Sequence, residues 1–139
     1  MTTHDKINYL RSYEVLSALI SDKQSEYDKL RTLCEKSTTT LSDATKGGMS
    51  SREDMYIKLS DMEEAINKLI YERTCLRARI MNSFSLLMDG GMLDVMICTY
   101  IFCMTEREIA KQIGKSQFYV RNLRSRALAK LVIDAENQT

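Results

Sequence analysis

The sequence predicts an all-α protein, with a long antiparallel helical (coiled-coil) hairpin followed by a C-terminal helix-turn-helix domain. Proline is absent from the 139 residues and glycine occurs only five times, which favours long uninterrupted helices. Apolar residues repeat with a heptad period in two N-terminal segments, and a capped helix, a glycine turn and a basic helix follow from Thr105. We therefore predict a hairpin domain over 1–89 and a helix-turn-helix domain over 90–139.

Two heptad segments predict the arms of the hairpin, with helices over about 5–36 and 51–88. In the first arm the positions spaced alternately by four and three residues are Tyr9, Tyr13, Leu16, Ile20, Lys23, Tyr27, Leu30 and Cys34. In the second arm they are Leu59, Met62, Ile66, Leu69, Arg73, Leu76 and Ile80. Serine, threonine and glycine dominate residues 37–50, which predicts a loop, and Ser50 or Ser51 can cap the helix that follows it.

Each heptad seam contains one charged residue, and these two residues suggest a register for the hairpin. If the loop closes by its shortest path, Arg73 lies opposite Glu14 and Lys23 lies opposite Glu64. The sequence thus predicts two ion pairs across the seam; the alternative is that Lys23 and Arg73 extend along the surface to solvent. The seams can close within one chain, between two chains or in a four-helix dimer, and the pattern does not select among these.

A very apolar segment, 92–102, separates the hairpin from the basic helix. Gly90 and Gly91 precede it and predict that the second long helix ends near Asp89. Only eleven uncharged residues lie between Asp94 and Glu106, fewer than the roughly 20 that a membrane span needs. We expect a buried helix that leads into the C-terminal domain, and no membrane partner.

The next residues have the order of a short capped helix and a tight turn. Thr105 with Glu108 fits a capping box, in which each residue bonds a backbone N–H of the other. The apolar face of this helix is formed by Ile109, Ala110 and Ile113. Gly114 suits the left-handed conformation that ends a helix, and Ser116 can cap the next one. Two helices joined in this way are typical of a helix-turn-helix.

The second helix of this motif, predicted over 117–132, has an apolar and a polar face. The apolar stripe consists of Val120, Leu123, Ala127, Leu128 and Leu131. The opposite face carries Gln117, Phe118, Arg121, Asn122 and Ser125. Arginine pairs with guanine, asparagine and glutamine with adenine, and an apolar group contacts the thymine methyl. The polar face therefore has the side-chain types that read base edges in the major groove.

Basic charge is concentrated on the same helix. From Lys115 to Leu131 there are five basic residues and no acidic one, whereas the whole chain carries a net charge of only +1. Arg124, Arg126 and Lys130 follow the reading positions, where phosphate contacts would fall. The alternative interpretation is a basic helix that merely faces solvent.

The segment resembles the promoter-recognition helix-turn-helix of housekeeping sigma factors, and it aligns without a gap through Ala127-Leu128-x-Lys130-Leu131. The resemblance implies base-facing positions at Gln117, Phe118, Arg121 and Asn122. It implies backbone-facing positions at Lys115, Ser116, Arg124 and Arg126. Sigma factors have charged residues where this chain has Phe118 and Tyr119, so we expect it to read a different DNA sequence.

The layout from roughly Tyr9 to Leu131 resembles the small phage and prophage regulators of Gram-positive bacteria related to ArpU and RinA. Three features carry this resemblance besides the helix-turn-helix: Lys29-Leu30-Arg31 in the first helix, the Ser/Thr-rich loop, and the run Lys58-Leu59-Ser60-Asp61-Met62-Glu63. It implies a sequence-specific activator of phage late genes that acts in the cytoplasm of the bacterial host.

Little in the sequence suggests catalysis or a cofactor. The only histidine is His4, and the four cysteines are scattered without a C-x-x-C pair. No phosphate-binding loop, dinucleotide motif or nucleophile-base pattern occurs. With His4 and Asp5 near its start, the chain lacks the basic-then-apolar pattern of a signal peptide. We expect a cytoplasmic protein that is not an enzyme, with no catalytic residues, no metal and no cofactor.

Three functions fit this sequence. The leading hypothesis is a transcriptional regulator that binds double-stranded DNA as a homodimer or a higher homo-oligomer, because one reading helix buries little DNA surface. The second is a phage-encoded factor that docks the helical hairpin on a host protein, such as RNA polymerase or a defence complex. The third is the DNA-recognition subunit of a packaging machine.

Overall fold

The computed structural model describes residues 1–39, 48–87 and 89–133, and it confirms the all-α prediction. The described residues form five α-helices and no strand: α1 (Thr3–Thr39), α2 (Gly48–Phe84), α3 (Gly90–Tyr100), α4 (Glu106–Ile113) and α5 (Gln117–Lys130). None of the helices in these ranges is apolar over a length that could cross a bilayer.

The predicted loop over 37–50 is shorter in the structure than the sequence suggests. Helix α1 continues to Thr39 and α2 already begins at Gly48. The residues between them lie outside the described part of the chain, as do the side chains of Ser50 and Ser51, the two predicted caps.

The chain divides into two compact units, and both long helices contribute to each of them. The first unit combines residues 1–16 with the chain from Arg73 onward, and the second is Ser17–Glu72. The predicted boundary between residues 89 and 90 lies inside the first unit. The physical reason is that Leu10, Ile80 and Phe84 belong to the same buried apolar cluster as the three short helices.

The core of the first unit holds α3, α4 and α5 together. Helix α5 packs against both α3 and α4, and α3 also contacts α4. Besides Leu10, Ile80 and Phe84, the buried cluster contains Leu87, Met92, Val95, Met96, Tyr100, Ile101, Ile109, Ala110, Val120, Leu123, Ala127, Leu128, Leu131 and Ile133. The start of α1 is also tied to α5 by a hydrogen bond, because Lys6 Nζ donates to the carbonyl of Leu128 at 2.8 Å.

Helix α2 ends at Phe84, so the prediction that it ends near Asp89 is wrong. Asp89 is instead the N-cap of α3, and its carboxylate accepts hydrogen bonds from the N–H groups of Gly91 at 2.9 Å and Met92 at 3.4 Å. The two glycines that suggested a helix end are the first two residues of the new helix. The apolar segment is otherwise as predicted, since Met92, Val95, Met96 and Tyr100 of α3 are buried.

In the second unit, segments of α1 and α2 lie side by side. The buried residues are Ile20, Cys34, Leu59 and Ile66, and all four are predicted seam positions. A shallow groove between the two segments is lined by Cys34 together with Tyr56 and Leu59, whereas the predicted register would place Cys34 opposite Glu53. Tyr56 and Leu59 follow Glu53 by three and six residues. A heptad pattern does not by itself select the register, because a shift by one heptad leaves the apolar pattern unchanged.

The ion pairs that the predicted register requires are therefore not observed. In the described ranges neither Glu14 with Arg73 nor Lys23 with Glu64 forms a salt bridge. Lys23 Nζ instead lies 4.0 Å from a carboxylate oxygen of Glu26, one turn along its own helix.

Candidate nucleic-acid interface

The connection between α4 and α5 follows the local signals in the sequence. The Thr105 hydroxyl accepts the N–H of Glu108 at 3.2 Å, and the Ser116 hydroxyl accepts the N–H of Tyr119 at 3.1 Å. Gly114 ends α4 in the left-handed conformation, with φ of 70°. The N-cap, the turn glycine and the second cap are thus confirmed. The reciprocal half of the capping box is not, because no bond from the Thr105 N–H to the Glu108 carboxylate is present among the described residues.

Both helices bury the faces that hold them to the core, with one exception. The five residues of the predicted stripe are buried, namely Val120, Leu123, Ala127, Leu128 and Leu131. Helix α5 ends at Lys130, two residues before the predicted end at 132, and Leu131 is its C-cap. In α4, Ile109 and Ala110 are buried, but Ile113 is 37% exposed, which corrects its predicted place in the core. Ile113 is the last residue of α4, and Gly114 directly after it adopts the left-handed conformation that ends the helix.

The opposite face of α5 is open to solvent, and it carries the predicted reading positions. Gln117, Arg121 and Asn122 are exposed, and Phe118 is 73% exposed. Because residues 117, 118, 121 and 122 follow the helical repeat, they share one face of the helix. The Phe118 ring is not packed into the core of the first unit, so it is available for contact with another molecule.

Of the predicted backbone-contacting residues, four are exposed and one is not. Lys115, Ser116, Arg126 and Lys130 are exposed, whereas the side chain of Arg124 is only 22% exposed. The ammonium of Lys115 lies over the ring of Tyr119, 5.5 Å from its centroid. The hydroxyl of Ser116 is already used as a helix cap.

A carboxylate that the sequence analysis did not single out lies against this face. Glu106 is the first residue of α4. Its Oε2 accepts hydrogen bonds from Nη2 of Arg121 at 3.0 Å and from Nε of Arg121 at 3.3 Å. Arg124 Nη2 contacts the other oxygen, Oε1. Hydrogen bonds from Arg121 and Arg124 hold the pKa of the Glu106 carboxyl below its ordinary value, and the same contact raises the pKa of Arg121.

The sequence contains a signal for this cluster, but only in combination with the fold. Arg121 and Arg124 are three residues apart and therefore project from neighbouring points on one helix. Glu106 is fifteen residues before Arg121, and only the packing of α4 on α5 brings its carboxylate to them. The signal in the sequence is thus an acidic residue in the first turn of the helix that precedes the arginine pair.

No family model, curated protein or solved structure matches this chain. In the described part of the chain, no three His, Cys, Asp or Glu side chains are grouped so that they could hold a metal ion. The arrangement that stands out is a supported helix with an exposed polar face, basic residues along it and one carboxylate clamped between two arginines.

Proposed function

We propose that this protein is a sequence-specific DNA-binding transcriptional regulator of phage or prophage genes. The observation that carries this proposal is the exposed face of α5, which combines base-reading side-chain types with basic charge while its other face is buried. Helix α4 and the Gly114 turn support α5 from one side, as the first helix and turn of a helix-turn-helix support a reading helix.

In this proposal α5 enters the major groove, and its residues divide into two sets. Bases are read by Gln117, Phe118, Arg121 and Asn122. Phosphates are contacted by Lys115, Ser116, Arg124, Arg126 and Lys130. Arg124 uses Nη2 on the Glu106 carboxylate, and its other N–H donors can reach a phosphate while that contact is kept.

The finer architecture belongs to the same proposal. We propose that α1 and α2 form an antiparallel hairpin, that the helix-turn-helix follows it, and that the hairpin joins two or more copies of the chain. The shared burial of Leu10, Ile80 and Phe84 with the core of the short helices supports a firm connection from the long helices to the reading helix. Two reading helices would bury the DNA surface that tight specific binding requires.

The test is binding of the purified full chain to a labelled duplex from around its own gene, measured against random-sequence competitor at two salt concentrations. We expect binding that survives the competitor and weakens as salt increases, because phosphate contacts release counterions. Binding with no preference over random DNA would overturn the assignment as a sequence-specific regulator.

Two substitutions separate the two sets of contacts. Arg121→Ala should weaken binding to the preferred duplex roughly ten- to a hundred-fold and relax selection at one base position. Lys130→Ala should weaken binding to all duplexes alike and reduce the salt slope by about one. Lys58→Ala removes the same charge from an exposed position in the second unit and should change neither quantity. If all three variants bind alike, α5 is not the DNA-binding helix.

A further inference from the structure

Two arginines on the proposed DNA face are occupied in the free protein by one carboxylate from another helix. Arg121 and Arg124 both contact Glu106, and no acidic residue occurs on α5 itself. The side chains of Glu106 and Arg124 are each 22% exposed and that of Arg121 is 61% exposed, so solvent screens the contact of Glu106 with Arg124 less than its contact with Arg121. A carboxylate on a surface that binds phosphates weakens that binding by charge repulsion. We therefore ask what Glu106 contributes at this position.

The geometry of the contact leaves one edge of Arg121 unused. A guanidinium has five N–H donors, and Glu106 takes the edge formed by Nε and Nη2, at 3.3 Å and 3.0 Å from Oε2. The edge formed by Nη1 and the second N–H of Nη2 is not used by this carboxylate. An arginine reads guanine by donating two parallel hydrogen bonds to O6 and N7, which the unused edge can supply while the first stays on Glu106.

We propose that Glu106 is a specificity-determining positioning residue, which holds the Arg121 guanidinium ready to read one guanine and disfavours binding to DNA that lacks it. The inference rests on the proposed function, because it assigns a role within DNA reading by α5. Arg124 fixes the carboxylate from its other oxygen, and the Thr105 cap fixes the backbone from which Glu106 projects.

Two effects give this role its physical basis. An arginine that is already held loses less side-chain freedom when it binds, so guanine recognition is strengthened. On random DNA the complex consists of phosphate contacts alone, and the negative charge of Glu106 repels those phosphates with no base contact to offset the repulsion. The first effect enlarges the ratio of specific to non-specific affinity, because it acts only where Arg121 meets its guanine. The repulsion acts on the phosphates of every duplex, so it lowers affinity for random DNA without by itself changing the ratio.

The experiment compares Glu106→Gln with the wild type in the full chain. The probes are the duplex from around the gene of this protein and a random-sequence duplex of the same length, titrated at several salt concentrations. We expect Glu106→Gln to bind random DNA more tightly, with a salt slope steeper by about one. We expect the ratio of the two affinities to fall roughly ten-fold and selection to relax at the base that Arg121 reads.

Glu108→Gln is the matched control. Glu108 lies in the same first turn of α4, is exposed, and has no contact with either arginine among the described residues. If net charge alone determined DNA affinity, both variants would behave alike. We expect Glu108→Gln to retain the affinity ratio of the wild type.

A double-mutant cycle tests whether Glu106 acts through Arg121. Once Arg121 is replaced by alanine, Glu106→Gln should no longer change the affinity ratio, although it should still raise affinity for random DNA. An unchanged effect on the ratio in the Arg121→Ala background would overturn the positioning role. Should Glu106→Gln lose helical circular dichroism, Glu106→Asp keeps the charge but shortens the reach, and it should lower the ratio without steepening the salt slope.

The outcomes separate this inference from the proposed function. If the wild type does not prefer one duplex over the other, both the proposed function and the role of Glu106 are wrong. If the wild type prefers one duplex but Glu106→Gln changes neither the affinity ratio nor the salt slope, the proposed function holds and the role of Glu106 is wrong.

Discussion

Gly114 determines, at the scale of one residue, how α5 leaves α4. Its φ of 70° lies in the left-handed region, where a side chain at Cβ crowds the following carbonyl. In this conformation the N–H groups of both Gly114 and Lys115 reach the carbonyl of Ala110, the latter at 3.0 Å. Ser116 can then cap the next helix. The exposed face of α5 thus depends on a backbone angle that glycine adopts at little cost.

Replacement of Gly114 by alanine should lower the free energy of unfolding by about 1–2 kcal/mol. A Cβ at this position meets no atom within 4 Å, so the cost is conformational rather than steric. Gly90→Ala is the matched control, because its Cβ also meets nothing within 4 Å and the residue is helical without a positive φ. There alanine should be neutral or stabilising by at most about 1 kcal/mol. Urea denaturation followed by circular dichroism measures both variants, and equal losses in both would contradict this account.

At the scale of an element, Asp89 determines where α3 begins, as Gly114 determines where α4 ends. A glycine pair after a long helix is a common sign that the helix has ended, and on this ground the sequence predicts an end of α2 near Asp89. The structure ends α2 five residues earlier than that prediction, at Phe84, where Ser85 Oγ donates to the carbonyl of Asn82 at 2.6 Å. Asp89 is then free of α2 and can accept the first N–H groups of α3.

If Asp89 caps α3, Asp89→Ala should destabilise the protein by about 1 kcal/mol, within a range of roughly 0.5–2 kcal/mol. Asp89→Asn, which keeps a side-chain oxygen, should retain most of the stability. Asp94→Ala is the control on the same helix, since Asp94 is exposed and caps nothing. Thermal unfolding compares the variants, and the cap would be ruled out by an Asp94 variant that is as unstable as the Asp89 variant.

The elements also show which features a sequence can predict. Caps and turns depend on residues within four positions of each other, so Thr105, Gly114 and Ser116 were found from the sequence alone. The apolar stripe of α5 and four buried seam positions of the long helices depend on a local period, which predicts them, whereas Leu10, which is 0% exposed, lies outside the predicted seam. The register of the second unit and the Glu106 cluster depend on contacts between distant elements. A heptad pattern is identical after a shift of seven residues, and no local signal connects Glu106 with Arg121.

The first unit depends, at the scale of the whole molecule, on residues far apart in the sequence. Leu10 near the start of α1 and Phe84 at the end of α2 are both 0% exposed, and they pack in the same cluster as Val120 and Leu131 of the candidate interface region. Lys6 also donates to the carbonyl of Leu128 in the last turn of α5, where a cation is favoured by the helix dipole. Helix α5 is therefore held by the ends of both long helices as well as by α3 and α4.

A fragment of residues 90–139 should consequently fail to fold alone, although it contains all of α3, α4 and α5. It lacks Leu10, Ile80 and Phe84, and removing one such side chain by substitution with alanine already costs about 2–5 kcal/mol. Small domains have a total stability of only about 5–15 kcal/mol. Circular dichroism of the fragment should show little helix, whereas the full chain should melt cooperatively.

Leu10→Ala in the full chain tests the same dependence without truncation. It should lower the free energy of unfolding by about 2–5 kcal/mol and weaken binding to every duplex in proportion to the unfolded fraction. Leu33→Ala makes the same chemical change on the same helix at a side chain that is 58% exposed, and it should stay within about 0.5 kcal/mol of the wild type. A fragment that folds on its own, together with a stable Leu10 variant, would show that α3, α4 and α5 need neither long helix. The stability of α5 would then have to come from the three short helices alone.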